Sequence, residues 1–402
     1  MQYIPRAIGS RLRAYLQTFP VVMVWGPRQC GKSTFVLNEL SGYTHYDLER
    51  PADFNLITSD PELFFTEHPH RVCIDEAQRY PELFPVLRHI VDRQRRNGRF
   101  VLLGSSGPLL LRTVSETLAG RIGILELTPF IGSELAGRFP WQQRWMWGGL
   151  PPLYELQTDE QRVTWLESYL QTVLQRDLPL LGVRVPPARL SRFWTMLSWV
   201  HGQLLNSSSL ARSMELSTSA ITNYLDILEG ALLVRRLPPY FANVGKRLVR
   251  RPKLYVRDTG MLHRLAGLND PSALELWPGR GGSFESLVVE ELITQAANRL
   301  TAPRFYFYRT QAGAEVDLLI QDGPSLLPIE IKLGIDVGPR DTVGLRNCMS
   351  DLGLRRGFIV TRAAEARSLG HGITTLPWQQ VAAGTAPFES GSLSADPSGR
   401  SP

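Results

Sequence analysis

The chain has 402 residues, 43% of them hydrophobic, with 44 Lys and Arg against 38 Asp and Glu and a net charge of +6. That length suits several domains with real cores, and the charge allows a polyanionic partner without requiring one. Three scattered cysteines exclude a disulfide framework and fit a reducing cytoplasm, while the Arg- and Pro-broken N-terminus and the lack of a long apolar run exclude a signal peptide and a membrane partner.

Residues 1–135 alternate short apolar runs with helical stretches. VVMVW (21–25), YTHYDL (43–48), RVCIDE (71–76), FVLLGSS (100–106) and GILEL (123–127) are expected strands. Strands alternating with helices predict a parallel α/β sheet. Between the first strand and a helix near Lys32 lies GPRQCGKST: Gly26, Pro27, Arg28, Gln29, Cys30, Gly31, Lys32, Ser33 and Thr34. This is the spacing of a phosphate-binding loop. Its glycines let backbone N–H groups turn onto phosphate oxygens, and the helix adds its positive end. Lys32 would reach the β- and γ-phosphates of ATP, and the Ser33 hydroxyl would ligate Mg²⁺.

RVCIDE ends a buried strand in Asp75 and Glu76. An acid at the C-terminal end of a neighbouring strand lies in the crevice where ligands sit. Asp75 would hold Mg²⁺ through water, and Glu76 would orient and deprotonate the attacking water. Ser105 or Ser106 could sense the γ-phosphate, and a plain turn there is as reasonable. Arg121, entering the fifth strand, could stabilise the transition state in its own subunit or a neighbour's, so a homo-oligomer is among the arrangements allowed. A surface arginine is the competing reading.

Residues 136–265 read as a helical linker and a winged helix-turn-helix. SSLARSM is a short helix, STSAITNYLDILEG a longer one ended by Gly230, and ALLVRRL a wing strand. Between Arg184 and Gly260 there are twelve Lys/Arg and four Asp/Glu, an excess of 12 − 4 = 8. Thr222 and Asn223 on the second helix would face DNA, and Lys246, Arg247, Arg250 and Arg251 after the wing strand would meet phosphates. Packing or protein docking is the competing use of such a module.

Residues 266–383 return to mixed α/β. RFYFYR (304–309), AEVDLLIQ (314–321), LPIEIKL (327–333) and RGFIVT (356–361) are expected strands behind an amphipathic helix at 284–300. Asp317 lies in one strand, and Glu330 and Lys332 share a face of the next. An Asp followed by Glu-x-Lys on an adjacent strand is the pattern of PD-(D/E)xK nucleases. Asp317 and Glu330 would bind Mg²⁺, with Glu285 supplied from the preceding helix, and Lys332 would position water or neutralise developing charge. Glu315 is assigned to the opposite face and left out. A cross-strand ion pair is the competing reading. Residues 384–402 are rich in Gly, Ser and Pro and are expected to be disordered.

YIPR, GPRQCGKST, IDEAQRYPELFPVLRHIVD, GSS, LAGRIGILELTPF, RDL, LLNSSSLA, KLYVRDTGML, GGSFESLVVEEL, AEVDLL and IEIKLG together resemble one family. It comprises bacterial and archaeal AAA-type P-loop ATPases with a C-terminal domain of unknown function (4143) built on a restriction-endonuclease-like core. The resemblance covers residues 1 to about 380. It departs at Trp25 and at Leu103, where the family has a smaller residue and a threonine respectively. It implies ATP and Mg²⁺ as cofactors and a bipartite architecture. Two functions are consistent with it: an ATP-driven protein that engages DNA, or a nucleotide-dependent scaffold for a protein partner whose nuclease-like domain is inactive.

Overall fold

The computed structural model describes residues 2–105, 114, 116–180, 183, 185–241 and 248–388. It shows an α/β protein with a parallel five-stranded sheet, a helical middle region and a C-terminal mixed sheet. Among the described residues no helix is long and apolar enough to cross a membrane.

The first sheet comprises β1 (Val21–Gly26), β2 (Thr44–Asp47), β3 (Val72–Asp75), β4 (Phe100–Ser105) and β5 (Ile122–Glu126), in the order β2-β3-β4-β1-β5. All its pairs are parallel. Alternate residues of β1 feed two cores: Val21 and Met23 join one, Val22 and Val24 the other. That is why the strand reads as a continuous apolar run. The helix Leu83–Arg93 closes the first core with Leu83, Phe84, Leu87 and Ile90. The helices Gly9–Thr18 and Lys32–Glu39 close the second with Leu12, Phe35 and Val36. The strands' shared direction gathers the C-terminal ends of β1, β3 and β4 at one edge.

In the middle region the helix Asp159–Thr172 begins at Thr158, whose side chain accepts from the Gln161 N–H. It runs into a π-helical turn, Val173–Asp177, where sequence periodicity predicts an unbroken helix. Helices Ser207–Met214 and Thr218–Gly230 follow, each started by a side-chain cap from Asn206 and Ser217. Next, β6 (Val234–Leu237) pairs antiparallel with β7 (Lys253–Val256).

The last sheet comprises β8 (Arg304–Arg309), β9 (Glu315–Asp322), β10 (Ser325–Ile331), β11 (Gly357–Thr361), β12 (Ser368–Gly370) and β13 (Ile373–Pro377), in the order β12-β13-β11-β10-β9-β8. β8, β9 and β10 are antiparallel neighbours, whereas β10, β11 and β13 run parallel. One face packs on the helix Arg280–Arg299 through Leu318, Ile320 and Ile329, in a core shared with the middle helices. The other packs on Val343–Leu352 through Leu319 and Ile359. The chain stays ordered beyond Gly384: Ala386 and Phe388 pack against the shared core. The expectation of disorder from 384 is corrected to that extent, and residues 389–402 lie outside the described residues.

Candidate functional site

The loop after β1 has the backbone that its sequence requires. Gln29 and Gly31 take left-handed φ of 62° and 91°. A Cβ at Gly26 would stand 2.3 Å from the Leu127 carbonyl oxygen and 2.9 Å from Cys30 Sγ. Only glycine fits there. Lys32 is 7% exposed, and its ammonium donates to the carbonyl oxygens of Gly26 (3.2 Å) and Pro27 (3.1 Å). The Ser33 hydroxyl donates to Asp75 Oδ2, so the two expected Mg²⁺ ligands meet at the loop's exit. Hard oxygen donors beside a glycine cradle fit ATP with Mg²⁺.

Glu76 follows β3 with a left-handed φ of 54°. Ser105, at the end of β4, donates to both of its carboxylate oxygens at 3.3 Å, and Gln78 donates to one. Burial pushes the Glu76 carboxyl up, and Lys32 pulls it back. That balance suits a base. Of the two serines expected near the phosphates, Ser105 is in place; Ser106 lies outside the described residues.

A cleft of about 630 Å³ opens beside Glu76 and Ser105 and is closed on its far side by Tyr169, Arg176 and Asp177 of the middle region. Arg28, in the loop itself, bonds Asp177 at 2.7 Å, and its carbonyl accepts from the Tyr169 hydroxyl at 3.1 Å. The π turn therefore touches the phosphate loop directly, and π turns recur at functional positions.

Arg121 does not belong to this site in its own subunit. Its carbonyl accepts from the Val21 N–H at the start of β1, five residues and roughly 16 Å from the loop. Its guanidinium bonds both Asp92 oxygens, at 2.6 and 2.9 Å. The expected action in cis is corrected: in its own chain Arg121 is a partly exposed arginine paired with Asp92, the competing reading.

The basic middle region is less basic at its surface than its composition suggests. Thr222, Asn223, Arg250 and Arg251 are exposed as expected, whereas Lys246 and Arg247 lie outside the described residues. Among the described residues, four of these cations are engaged internally. Arg235 and Arg257 pair with Glu290, Arg236 pairs with Asp226 and Glu229, and Lys253 is buried.

Lys253 enters the second expected site. Continuing the β9–β10 register one step beyond Leu318↔Ile329 sets Asp317 opposite Glu330. Both line a polar cleft of about 750 Å³ together with Glu285, Glu315 and Lys332. Lys332 bonds Glu330 at 2.7 Å and faces the cleft. Lys253, 2% exposed, places its ammonium 2.6 Å from Glu315, 2.8 Å from Asp317 and 3.0 Å from Glu285. Burial opposes its charge, yet Asp317 and Glu285 hold its pKa well above the usual range. The Tyr255 hydroxyl also donates to Glu285. Burial and the Asp317 charge push Glu330 and Glu285 up.

Two expectations are corrected here. Glu315 shares a face with Asp317, as residues two apart on a strand must. Glu285, Asp317 and Glu330 are not a ready metal set, because a lysine already satisfies the first two. Among the described residues no three His, Cys, Asp or Glu side chains are disposed to hold a metal. The arrangement as it stands does not fit a divalent ion.

Family models match three consecutive segments: an AAA domain over residues 18–136, a domain of unknown function (DUF8612) over 138–272, and another (DUF4143) over 280–381. The uncharacterized protein Rv2008c of Mycobacterium tuberculosis is 41% identical over 385 residues, spanning 94% of this chain and 84% of that one. Mb2031c of Mycobacterium bovis matches to the same extent. The chain belongs to the Rv2008c family. Solved structures resemble this family member more distantly. The Walker-type ATPase PABY2304 of Pyrococcus abyssi has a TM-score of 0.43 at 14% identity, over 64% of this chain and 94% of its own. The RuvB Holliday junction branch migration motor of Thermotoga maritima has 0.28 at 17%, over 57% and 89%. Likenesses this faint say nothing of shared activity.

Three functional positions of this Rv2008c-family chain escape motif reading. Arg6, in the YIPR segment, donates to the Cys30 carbonyl at 2.9 Å and to the Thr128 carbonyl at 2.5 Å, bracing the loop from behind. Its place in a motif shared across the resemblance is a signal that could have found it. Asp177 sits in the RDL motif in the same way. Lys253 opens the KLYVRDTGML motif, but it also closes a basic run that reads as surface, and nothing in the motif points to its carboxylate partners.

Proposed function

We propose that the chain binds and hydrolyses ATP with Mg²⁺ and couples its nucleotide state to engagement of DNA. The observation that carries the first half is the meeting of Lys32, Ser33, Asp75, Glu76 and Ser105 at one edge of the parallel sheet. Lys32 would turn from the loop carbonyls to the phosphates. Glu76, oriented by Ser105, would take the proton of the attacking water. Mg²⁺ held by Ser33 and Asp75 would neutralise charge on the β- and γ-phosphate oxygens.

The coupling rests on the contacts between loop and middle region. A γ-phosphate attracts Arg28, and Arg28 is held by Asp177. The helices Ser207–Met214 and Thr218–Gly230 with the β6–β7 pair are read as a winged helix, and Thr222, Asn223, Arg250 and Arg251 as its nucleic-acid face. The C-terminal mixed sheet is read as nuclease-like, from the Asp317 and Glu330–Lys332 arrangement. The ammonium of Lys253 among its carboxylates favours a second reading, a nucleotide-dependent switch or scaffold that does not cleave. ATP turnover measured with and without single- and double-stranded DNA separates the two. Stimulation by DNA supports engagement, and indifference to both forms overturns it.

A further inference from the structure

The acidic cleft contains one cation that the reading of the C-terminal sheet as nuclease-like does not use. Lys253 donates to Asp317 and Glu285, and Glu315 pairs with the same ammonium at 2.6 Å. It comes from β7 of the middle region, not from the sheet that carries the carboxylates. Glu330 completes the wall. It is 7% exposed, and among the described residues its buried Oε2 has no hydrogen-bond partner. A buried acceptor left unmatched is costly, and the cations nearest it are already engaged, Lys332 by Glu330 Oε1 at 2.7 Å and Arg309 by Glu315 at 2.9 Å.

We infer that Lys253 is the resident cation of this cleft, and that Lys253 and a divalent metal ion exclude one another there. Asp317 Oδ1 accepts from Lys253 at 2.8 Å and Oδ2 from the Ile331 N–H at 2.9 Å, so a metal on this carboxylate would stand within a few ångströms of a buried ammonium and be repelled by it. Loss of the ammonium leaves Asp317 and Glu285 without their cation beside the unmatched Glu330 oxygen, while Arg309 stays on Glu315 at 2.9 Å and Tyr255 on Glu285; the carboxylates so uncovered are hard oxygen donors of the kind Mg²⁺ or Mn²⁺ takes. The cleft thus admits a divalent ion only where the Lys253 charge is absent.

This deepens the nuclease-like reading but needs no cleavage to test it, because the readout is metal occupancy. Mn²⁺ binding is followed by electron paramagnetic resonance on nucleotide-free full-length protein. Four forms are compared: wild type, Lys253→Met, Asp317→Asn and the double variant. Met keeps the length of the side chain and removes its charge. Lys253→Met should gain one Mn²⁺ per chain at least about tenfold tighter than wild type, since the competing buried charge is gone. Asp317→Asn should leave wild type unchanged and abolish the gain in the double variant. A folded Lys253→Met that binds no more Mn²⁺ than wild type overturns the inference. So does a wild-type ion that Asp317→Asn removes.

Should Lys253→Met fail to fold, lysine acylation of wild type read by mass spectrometry decides. Lys253 should be protected without metal and become several-fold more reactive as Mn²⁺ rises. Labelling that stays flat throughout the titration overturns the inference. DNA-stimulated turnover reads the ATP site, so the coupling and the lysine lock can fail separately.

Discussion

Arg6 donates to the carbonyl oxygen of Cys30 from 24 residues upstream, so the N-terminal segment holds the phosphate loop in shape. The same guanidinium pairs with Glu134 at 3.1 Å, and both side chains are almost wholly buried. Arg6→Ala would strand that carboxylate and the loop carbonyls. The expected loss is roughly 3–5 kcal/mol in denaturant unfolding, with weakened nucleotide affinity. Arg6→Lys should recover little, since an ammonium cannot reach three separate acceptors in a fork. Wild-type nucleotide affinity in a folded Arg6→Ala would remove the bracing role.

Glu76→Gln should bind ATP and turn it over ~10²–10⁴-fold more slowly, because Asp75 and Ser33 are untouched and only the base is lost. Lys32→Ala should instead weaken binding. Equilibrium nucleotide binding and steady-state turnover, measured on both variants, separate the two effects. Equal turnover in Glu76→Gln and wild type would eliminate Glu76 as the base.

Glu290 sets an acid limit on stability. Burial pushes its carboxyl up, but the guanidiniums of Arg235 and Arg257 outweigh burial and bring it down to about 2. A depressed acid stabilises the fold above its unfolded pKa, and that contribution is lost as pH falls through the folded value. Glu290→Gln should therefore cost roughly 3–5 kcal/mol near neutrality. The gap to wild type should close between about pH 4.5 and about pH 2 in unfolding measurements. A gap independent of pH would mean that the carboxylate charge is irrelevant.

Replacing Lys246, Arg247, Arg250 and Arg251 with Ala should lower the slope of log K against log salt for DNA by up to about 3.6, taking about 0.9 per phosphate contact. An unchanged slope would place the DNA contact elsewhere. No binding at low salt would favour the scaffold.

The parallel sheet was legible because its central strands β1, β3 and β4 are buried on both faces and its loop demands glycine twice. All five expected strands formed within a few residues of their apolar runs. Asp75, Glu76 and the loop converge because parallel strands bring their C-terminal ends together. Lys253 was not legible. Its charge is matched by Glu285, Glu315 and Asp317, 32 to 64 residues away along the chain, and no local pattern reports such a partner. Arg121 misled for a related reason: an arginine before a strand shows its place in the chain but not which edge of the sheet it occupies. β12 and β13 were missed in a stretch where SLG and ITTLP are too short and mixed for periodicity to mark.

Lys253, Tyr255 and Arg257 occupy alternate positions and all reach the helix Arg280–Arg299, the first two at Glu285 and the third at Glu290. Arg257 also holds Glu126, the last residue of β5, at 2.6 Å. Leu254 and Val256 point the other way, into the apolar core. Sliding β7 by one position would set leucine and valine against the carboxylates and bury the charges in that core, so intermediate registers are closed to it. The strand works as a key cut for one lock: a single register satisfies its charges, and the ATPase sheet grips the far end through Glu126.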